Sequence, residues 1–440
     1  MVSEIQGKAL EMKALVIGGG GREHSLAWKL SQSLTRQNVF CAPGNAGIAL
    51  DAECIPVSVA DSKALLEMAI ERQPDFTVVG PENPLIDGLA DRFRARGLQV
   101  IGPSQRAARL EGSKVFAKQF LQKQGVATAK MYGIFDSSRE AFTAIESASW
   151  PLVIKADGPC AGKGVLVAQS PEEAKPFVKR LMDEREFGDA ANLVLFEEAI
   201  EGKELSFIVF TDGEHIMPLV PARDHKRVFD GDEGPNTGGM GAFSADGMIS
   251  PALESEILEK VVRPTLDGMA KEGSPYVGFL YCGLMLTDRG PQVLEFNCRM
   301  GDPECQAIVA RMEFDLAEAF QAACAGELDR IEPCWRPGAS VCIVLASGGY
   351  PGRYETGKPV DGLGDLAAMP DVVVFHAATR LHDGGYLTAG GRVLGVTAVG
   401  PDLGAAAERA YGAASRIRFD GMHYRKDIGS NSNLSKRINT

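Results

Sequence analysis

The sequence predicts a multidomain protein of the α/β and α+β classes. Three apolar segments near the start each run into a glycine-rich or polar loop, which is typical of strands in an open parallel sheet. Later segments join two strands through a short turn, as antiparallel hairpins do. At 440 residues the chain is longer than one ordinary domain, so about three domains are expected.

Composition limits the class of partner. The formal net charge of −12 argues against nucleic acid or an anionic membrane as the main partner, although a local pocket can still bind small phosphorylated molecules. The nine cysteines form no CxxC pair, which favours a reduced cytosol over a disulfide framework or a zinc site. No apolar run is long enough to span a bilayer, and residues 1–13 lack a signal-peptide core. A cytoplasmic protein is expected.

The first predicted strand, Ala14–Ile17, is followed by GGGGREHSLAWKL. A glycine run that ends a strand and begins a helix presents backbone N–H groups to an anion. The match to the dinucleotide fingerprint GxGxxG is poor, because Glu23 occupies the place of the third glycine. A sugar-phosphate site is therefore favoured over a Rossmann cofactor site, and a purely structural glycine turn is the alternative.

Two further strands repeat this pattern. Val39–Ala42 leads into PGNAG, and Phe76–Val79 leads into GPENPL. In an open parallel sheet, ligands bind beyond the carboxyl ends of the strands. The three loops are therefore expected to line one crevice.

The next part of the chain predicts a helix and then a hairpin. Residues 104–125 show helical apolar spacing, with Lys114 near a helix start. Trp150–Asp157 is a strand that continues through GPCAGKG into VLVAQ. This is no Walker loop, which needs a helix after its lysine. Lys163 in a glycine flap and Lys155 on the strand can both approach a triphosphate; the alternative is a turn with a solvated lysine.

The second half of the chain contains mixed elements. Residues 222–244 are polar and glycine-rich, as in a long functional or disordered loop. A helix is expected at Pro251–Lys271, a hairpin turn at Asp288–Gly290 and another helix at Asp315–Gly326. From Ser340 onward, short apolar strands and one helix predict a small α+β domain.

The segment QVLEFNCRMGDPE, residues 292–304, carries the strongest chemical pattern. Strand alternation places one set of side chains on a polar face and the other in the core. The expected polar face is Val293, Glu295, Asn297 and Arg299, and the expected core face is Leu294, Phe296 and Cys298. Carboxylate and amide oxygens suit Mg²⁺, and an arginine can bind a carboxylate or phosphate. The alternative is an edge strand with a solvated polar face.

Nine motifs occur in order: GGREH, PGN, VGPE, EGSK, the glycine flap, DHKR, GPNTGGMG, EFNCR and GDPE. With them the chain resembles the ATP-grasp ligases of purine synthesis, and most closely the phosphoribosylamine–glycine ligase family. The resemblance covers residues 12–429. It departs from the family at Pro159 and Cys160 in the flap, and at Met300, Cys305 and Phe314.

The resemblance implies the domain organisation. It divides the chain into an N-terminal substrate-binding domain of the pre-ATP-grasp type at 12–112, an ATP-grasp domain at 113–334 with a mobile lid at about 130–198, and a C-terminal α+β domain at 335–429. The tail, residues 430–440, has little apolar content and is expected to be disordered. A monomer is expected.

The resemblance also assigns site residues. The implied catalytic residues are Lys155, Lys163 and Arg299, and the implied metal ligands are Glu295 and Asn297. The implied ATP-binding residues are Lys114, Lys155, Gly158, Gly162, Lys163, Gly164, Glu197, Glu198, Ile200 and Glu204. The implied substrate-binding residues are Gly20, Gly21, Arg22, Glu23, Pro43, Gly44, Asn45, Gly80, Pro81, Glu82, Asp224, Lys226, Gly238, Gly239, Arg299, Gly301, Asp302 and Pro303.

The implied reaction joins glycine to 5-phosphoribosylamine through glycyl phosphate, with ATP as co-substrate and Mg²⁺ (or Mn²⁺) as the metal. Three other functions are weighed against it. One is another ATP-grasp carboxylate–amine ligase or a carboxylase subunit, one is a non-catalytic nucleotide-binding module, and one is a Rossmann dehydrogenase. A substrate screen, ATP binding without hydrolysis, and cofactor absorbance would respectively distinguish them.

Overall fold

The computed structural model describes residues 12–160, 162–366 and 368–430. The expected extension before Met12 lies outside these residues, and so does the expected disordered tail from residue 431 onward. Within the described ranges, no helix has both the length and the apolar character needed to cross a membrane.

The N-terminal part is an open, fully parallel sheet, as predicted. Its strands, in the spatial order β3-β2-β1-β4-β5, are β1 (Ala14–Gly18), β2 (Val39–Pro43), β3 (Glu53–Cys54), β4 (Phe76–Val79) and β5 (Val100–Ile101). The helices between them are α1 (Gly21–Leu30), α2 (Ser62–Arg72), α3 (Glu82–Ile86) and α4 (Leu89–Arg94). The loops that follow β1, β2 and β4 therefore meet at one edge of the sheet.

The helix predicted over 104–125 is two helices, α5 (Arg109–Gly112) and α6 (Lys114–Gln124). The break is at Ser113, whose backbone is extended at φ −144° and whose hydroxyl accepts a hydrogen bond from Phe116 N at 3.0 Å. This N-cap makes Lys114 the first residue of α6.

The lid is an antiparallel sheet with a hydrophobic core of its own. Its strands, in the order β6-β9-β7-β8, are β6 (Met131–Phe135), β7 (Leu152–Ala156), β8 (Val165–Ala168) and β9 (Val194–Glu198). Helices α7 (Ser138–Glu146) and α8 (Pro171–Met182) complete it. Ile154, Phe177 and Phe196 belong to a core cluster made only of lid residues.

The central sheet is also antiparallel and carries the segment with the strongest chemical pattern. Its strands, in the order β11-β10-β16-β17, are β10 (Lys203–Thr211), β11 (Ile216–Pro218), β16 (Gly278–Thr287) and β17 (Gly290–Asn297). Residues 199–202 alone separate the last lid strand from β10, so this short link joins two different sheets.

The region predicted as a loop at 222–244 contains four short strands, so that prediction was wrong. They are β12 (Arg223–Asp224), β13 (Arg227–Phe229), β14 (Glu233–Asn236) and β15 (Gly241–Ala245). β13 and β14 form a hairpin. β12 pairs with β15, and β15 also pairs with a strand about 100 residues later, an interaction that leaves no apolar periodicity in the sequence.

The C-terminal sheet incorporates those two strands. Its order is β12-β15-β18-β23-β20, where β18 is Ala339–Ala346, β20 is Val372–His376 and β23 is Arg392–Gly400. A smaller sheet holds β19 (Pro359–Val360), β21 (Thr379–His382) and β22 (Gly385–Thr388). The larger sheet therefore crosses the boundary expected near residue 335.

The remaining helices cover the sheets. They are α9 (Pro251–Ile257), α10 (Arg263–Lys271), α11 (Glu304–Val309), α12 (Leu316–Ala325) and α13 (Leu403–Ala414), with one π-helical turn, Leu258–Val262, between α9 and α10. The N-terminal and central sheets share two core clusters. Leu15 lies in one with Leu280, and Val16 lies in the other with Phe210, so these two sheets form one packed body.

Candidate active site

A cleft of about 980 Å³ lies where the four main sheets meet. The N-terminal part contributes Arg22 and Glu82, the lid contributes Lys155, the central sheet contributes Glu295, and the C-terminal sheet contributes Arg392. A cavity of this size accepts a nucleotide and a second small molecule together.

The strand at the floor of the cleft, β17, departs from simple alternation. Gly283 pairs with Glu295 but Leu284 pairs with Val293, so Leu294 is the extra residue of a β-bulge. Val293 is therefore buried in the core, and Leu294 lines the cleft instead. The expected placement of these two residues was wrong, whereas Glu295, Asn297 and Arg299 do line the cleft together.

The two proposed metal ligands, Glu295 and Asn297, have suitable chemistry. Burial tends to raise the pKa of Glu295, but Lys226, Lys114 and other nearby cations lower it below its usual value, so the carboxylate is ionised. The Asn297 side-chain oxygen accepts from Arg299 Nη2 at 3.4 Å. Two hard oxygen ligands fit Mg²⁺ that takes its other ligands from phosphate and water. No group of three or more acidic, histidine or cysteine side chains that could hold a metal occurs among residues 12–160, 162–366 and 368–430.

Arg299 is held by two carboxylates. Its Nη2 lies 2.8 Å from Glu111 Oε1, and its Nε lies 3.3 Å from Glu82 Oε2. Burial opposes the positive charge of Arg299, but Glu111 and Glu82 raise its pKa above the usual value. The guanidinium is therefore charged and fixed in direction before any ligand binds.

Lys155 is anchored through a buried glutamate. Its Nζ lies 2.7 Å from Glu197 Oε2 and donates to Leu294 O at 3.1 Å. The other carboxylate oxygen of Glu197 lies 2.8 Å from Lys118 Nζ. Burial lowers the pKa of Lys118, although Glu197 opposes the shift. One carboxylate thus holds two lysines in the wall of the cleft.

The glycine flap begins beside α6. Lys114 Nζ donates to Gly158 O at 3.2 Å. Lys163 is exposed and donates to Pro351 O of the C-terminal domain at 3.2 Å, so the structure does not bring its amine into the cleft. Gly162 and Gly164 line the cleft, together with Pro159 and Cys160. Gly158 is packed against Ala190, since a Cβ on Gly158 would lie 2.8 Å from the Cα of Ala190.

The residues expected around adenine and ribose lie at the link between the lid and the central sheet. Glu198, Ile200 and Glu204 all line the cleft. The Glu198 carboxylate accepts from Lys130 N at 3.3 Å, and Glu204 lies 3.8 Å from Lys226 Nζ. The link therefore presents both backbone and carboxylate groups to a ligand.

Lys226 is surrounded by acids. Its Nζ lies 3.7 Å from Glu295 Oε1. Asp224 raises the pKa of Lys226 most, against the effect of burial, and Glu295 and Glu204 add to the increase. Asp224 and Lys226 also line a smaller cavity beneath the cleft floor. Both residues are placed where a small zwitterion could bind.

The N-terminal loops divide into cleft-lining and supporting residues. Arg22, Pro81 and Glu82 line the cleft. The other seven residues of this set do not line it: Gly20, Gly21, Glu23, Pro43, Gly44, Asn45 and Gly80. Glu23 accepts from Gly20 N and Arg22 Nε at 2.6 Å each, and Asn45 Nδ2 donates to Gly19 O at 2.9 Å and to His376 O at 2.7 Å. The side chains of Glu23 and Asn45 therefore already have hydrogen-bond partners within the protein.

The tight packing around Glu23 explains why residue 80 is a glycine. A Cβ on Gly80 would lie 2.0 Å from Glu23 Oε1. Any larger residue at this position would displace the carboxylate that holds the start of α1. Gly80 is therefore needed for the close approach of two loops.

The GDPE loop also contributes to the cleft. Gly301 and Asp302 line the cleft, whereas Pro303 does not. Asp302 Oδ1 accepts from Gln306 Nε2 at 2.8 Å, and Asp302 Oδ2 lies 3.0 Å from Arg392 Nη2. Gly238 lines the cleft as well, and its neighbour Gly239 packs against Pro303.

Three family models match the chain in succession. They are the N domain of phosphoribosylglycinamide synthetase at residues 12–111, its ATP-grasp (A) domain at 112–305 and its C domain at 340–431. The chain belongs to the phosphoribosylglycinamide synthetase family. It is therefore a ligase of the ATP-grasp class, and enzymes of that class act on ATP with a divalent metal ion.

Individual relatives agree with the family. The chain is 48% identical to a phosphoribosylamine–glycine ligase of Pseudomonas aeruginosa, over 95% of this chain and 97% of the relative. It is 34% identical to the phosphoribosylamine–glycine ligase structure from Thermotoga maritima, with a TM-score of 0.79 over 94% of this chain and 100% of the other. A biotin carboxylase of Campylobacter jejuni shares the fold at 14% identity, with a TM-score of 0.70 over 97% and 95% of the two chains.

Several cleft residues carried no prediction, and four of them make contacts with predicted site residues or stand in the motifs. They are Glu111, Lys118, Glu304 and Arg392. Glu111 stands in the EGSK motif and Glu304 in GDPE, so both motifs pointed to them. Lys118 lies one helical turn beyond Lys114, a spacing that places two side chains on the same helix face. Nothing in the sequence around Arg392 distinguishes it from a surface arginine.

Proposed function

We propose that the protein joins glycine to 5-phosphoribosylamine and converts ATP to ADP and phosphate, giving glycinamide ribonucleotide. One observation carries the proposal. A single cleft brings the loops of the N-terminal parallel sheet within reach of the lysine-bearing lid, around the polar end of β17. A nucleotide site and an acceptor site that open into one cavity are what a ligase of this kind requires, and membership in the family supports both substrates.

The chemical difficulty is that a carboxylate is a poor electrophile. In the first step, a glycine carboxylate oxygen bonds to the γ-phosphorus of ATP, and the bond from that phosphorus to the bridging oxygen breaks, releasing ADP. In the second step, the amine of phosphoribosylamine bonds to the acyl carbon of glycyl phosphate. Phosphate then leaves with the bonding electrons, and the amine loses a proton. Holding both partners in one cleft can contribute about 7–11 kcal/mol toward the barrier.

The protein supplies the positive charge for the first step. Lys114 and Lys155 lie in the cleft wall to bind phosphate oxygens, and Arg299 stabilises the charge that develops on the transferring group. Lys163 joins them only when the flap leaves its contact with Pro351. Closure of the flap would also protect glycyl phosphate from water.

Glu295 and Asn297 would hold the divalent metal, Mg²⁺ or Mn²⁺. When bound, the metal offsets negative charge on the phosphate oxygens of ATP. Glu197 fixes Lys155, while the link near Glu198 and Ile200 holds the adenine. Glu204 is placed to accept hydrogen bonds from the ribose hydroxyls.

The acceptor and amino acid bind on the other side of β17. Arg22 and Glu82 face phosphoribosylamine from the N-terminal loops, with Gly301 and Asp302 opposite them. Asp224 and Lys226 bind glycine, since a carboxylate beside an ammonium group matches a zwitterion. Gly238 and Gly239 border the same pocket with backbone groups.

We further propose that the enzyme is a cytoplasmic monomer that acts on small molecules, with no nucleic acid or membrane partner. All nine cysteines lie in described residues as free thiols, which suits a reducing compartment. The division into domains at 12–112, 113–334 and 335–429, with a lid at about 130–198, is part of the same proposal.

The test is release of ADP from ATP and Mg²⁺ in the presence of glycine, with and without phosphoribosylamine made in the assay from ribose 5-phosphate and ammonia. The expected result is ADP release that needs both partners, with stoichiometric formation of glycinamide ribonucleotide. ADP release that does not depend on glycine and phosphoribosylamine would contradict the proposal. The protein would then be an ATP-grasp ligase that acts on a different acceptor.

A further inference from the structure

Arg392 reaches the cleft from the C-terminal sheet, where it is the first residue of β23. Its Nη1 donates to Gly238 O and to Asp302 O, at 2.8 Å each. Its Nη2 donates to Asp302 Oδ2 at 3.0 Å. One guanidinium therefore binds the backbone of two loops and the side chain of one of them.

The two loops that Arg392 joins are in direct contact. A Cβ placed on Gly239 would lie 2.5 Å from Pro303 Cδ, so the loops already touch at this point. Tyr350, also in the C-terminal domain, accepts a hydrogen bond on its hydroxyl from Gly238 N at 3.0 Å. The C-terminal domain thus holds both the carbonyl and the N–H of Gly238, and a small shift in Arg392 would move both loops.

The charges of the pair reinforce this geometry. Burial tends to raise the pKa of Asp302, but Arg392 and then Arg22 lower it below its usual value. Burial tends to lower the pKa of Arg392, but Asp302 raises it. The side chains are only 21% and 14% exposed for Arg392 and Asp302, so the ion pair is well shielded from water. Gln306 holds the second oxygen of Asp302, which leaves the carboxylate a single orientation.

We propose that Arg392 is a positioning residue for the acceptor, which sets the separation between the Asp302 carboxylate and the Gly238 backbone so that the phosphoribosyl amine meets the activated glycine. The inference rests on the proposed function and extends it to a domain that carries no predicted site residue. Arg392 acts through Asp302 and Gly238 and not on the nucleotide. Its loss is therefore expected to change acceptor binding while leaving the nucleotide site intact.

The experiment uses the reverse reaction, because glycinamide ribonucleotide is chemically more stable than phosphoribosylamine. The full-length enzyme is given glycinamide ribonucleotide, ADP and phosphate, and formation of ATP is measured. The variants are Arg392→Lys, which keeps the charge but loses the forked donors, and Arg392→Met, which loses both. The matched control is Arg311→Lys, because Arg311 is a buried arginine that lies outside the cleft and binds Ser244 and Asp246.

The expected result is that Arg392→Lys raises the KM for glycinamide ribonucleotide at least tenfold and Arg392→Met raises it further. The KM for ADP is expected to stay within twofold of the wild-type value in both variants and in Arg311→Lys. An equal rise in both KM values, or a change no larger than that of Arg311→Lys, would overturn the inference while leaving the proposed function in place. A wild-type enzyme that makes no ATP from these substrates would instead overturn the proposed function.

Discussion

The N-terminal sheet and the lid sheet face the same cleft but are built in opposite ways. The N-terminal sheet is parallel, and its apolar side chains belong to core clusters that extend into the central sheet. The lid sheet is antiparallel and encloses a core that it shares with no other part. One wall of the cleft is therefore part of the body, whereas the other is a separate layer attached through residues 125–130 and 199–202.

This difference separates two tasks. On the side proposed to bind the acceptor, Glu23 and Asn45 hold the loops in place with hydrogen bonds made within the protein. On the side proposed to bind the nucleotide, an independent core would allow the lid to open and close without any loss of packing in the body. The two sides meet at Glu295, which lies on β17, and at Arg299, which lies just beyond the end of that strand.

The largest effect is expected where the two walls meet. Glu295→Ala should lower kcat on the order of 10³-fold or more, because it removes the carboxylate proposed to hold the metal against the phosphates. Steady-state ligation at ordinary Mg²⁺ measures the effect, and thermal unfolding should be unchanged. Glu259→Ala, an exposed helix position, is the control. Near-normal activity of Glu295→Ala would remove the metal assignment.

A pair of core substitutions tests the independence of the lid. Phe196→Ala in the lid and Phe210→Ala in the shared core each remove a fully buried ring, which costs about 3–5 kcal/mol. For Phe196→Ala, hydrogen exchange should rise only within residues 131–198. For Phe210→Ala, the free energy of unfolding of the N-terminal and central sheets should fall together. Faster exchange across the whole chain in Phe196→Ala would show that the two layers unfold as one.

The smallest of the three effects concerns the side of the cleft proposed to bind the acceptor. Arg22→Ala should raise the KM for phosphoribosylamine about 10- to 100-fold, since a charged hydrogen bond contributes about 1.5–3 kcal/mol. The KM for ATP should change less than twofold, because Arg22 lies on the wall opposite the lid. Initial rates with each substrate varied in turn give both constants. Equal increases in the two KM values would place Arg22 outside the acceptor site.

The three central strands of the N-terminal sheet could be predicted to within one residue. Each of its main strands is an apolar run that ends at a glycine or proline, and both signals are local. Phe76–Val79 has the bounds that the sequence indicated. The polar row Glu295, Asn297 and Arg299 was also found, because it repeats every second residue on the cleft side.

What could not be predicted depends on contacts between distant residues. The bulge at Leu294 arises from the pairing of β17 with β16, and the alternation of Val293 and Leu294 gives no sign of it. Arg392 reaches Asp302 only because β23 pairs with β18 at the centre of a sheet. Ser113 breaks a helix whose apolar spacing continues through it, since its N-cap hydrogen bond competes with helix continuation.

The sheet that crosses the expected domain boundary also bears on how the chain is made. β15 ends at Ala245, and its partner β18 begins at Ala339, about 100 residues later. At a synthesis rate of roughly 5–20 residues per second, the edge of β15 waits for roughly 5–20 seconds without its partner. Such an edge is open to pairing with another nascent chain. The strand that follows Gly238 and Gly239 is thus also a point at which newly made chains are exposed to aggregation.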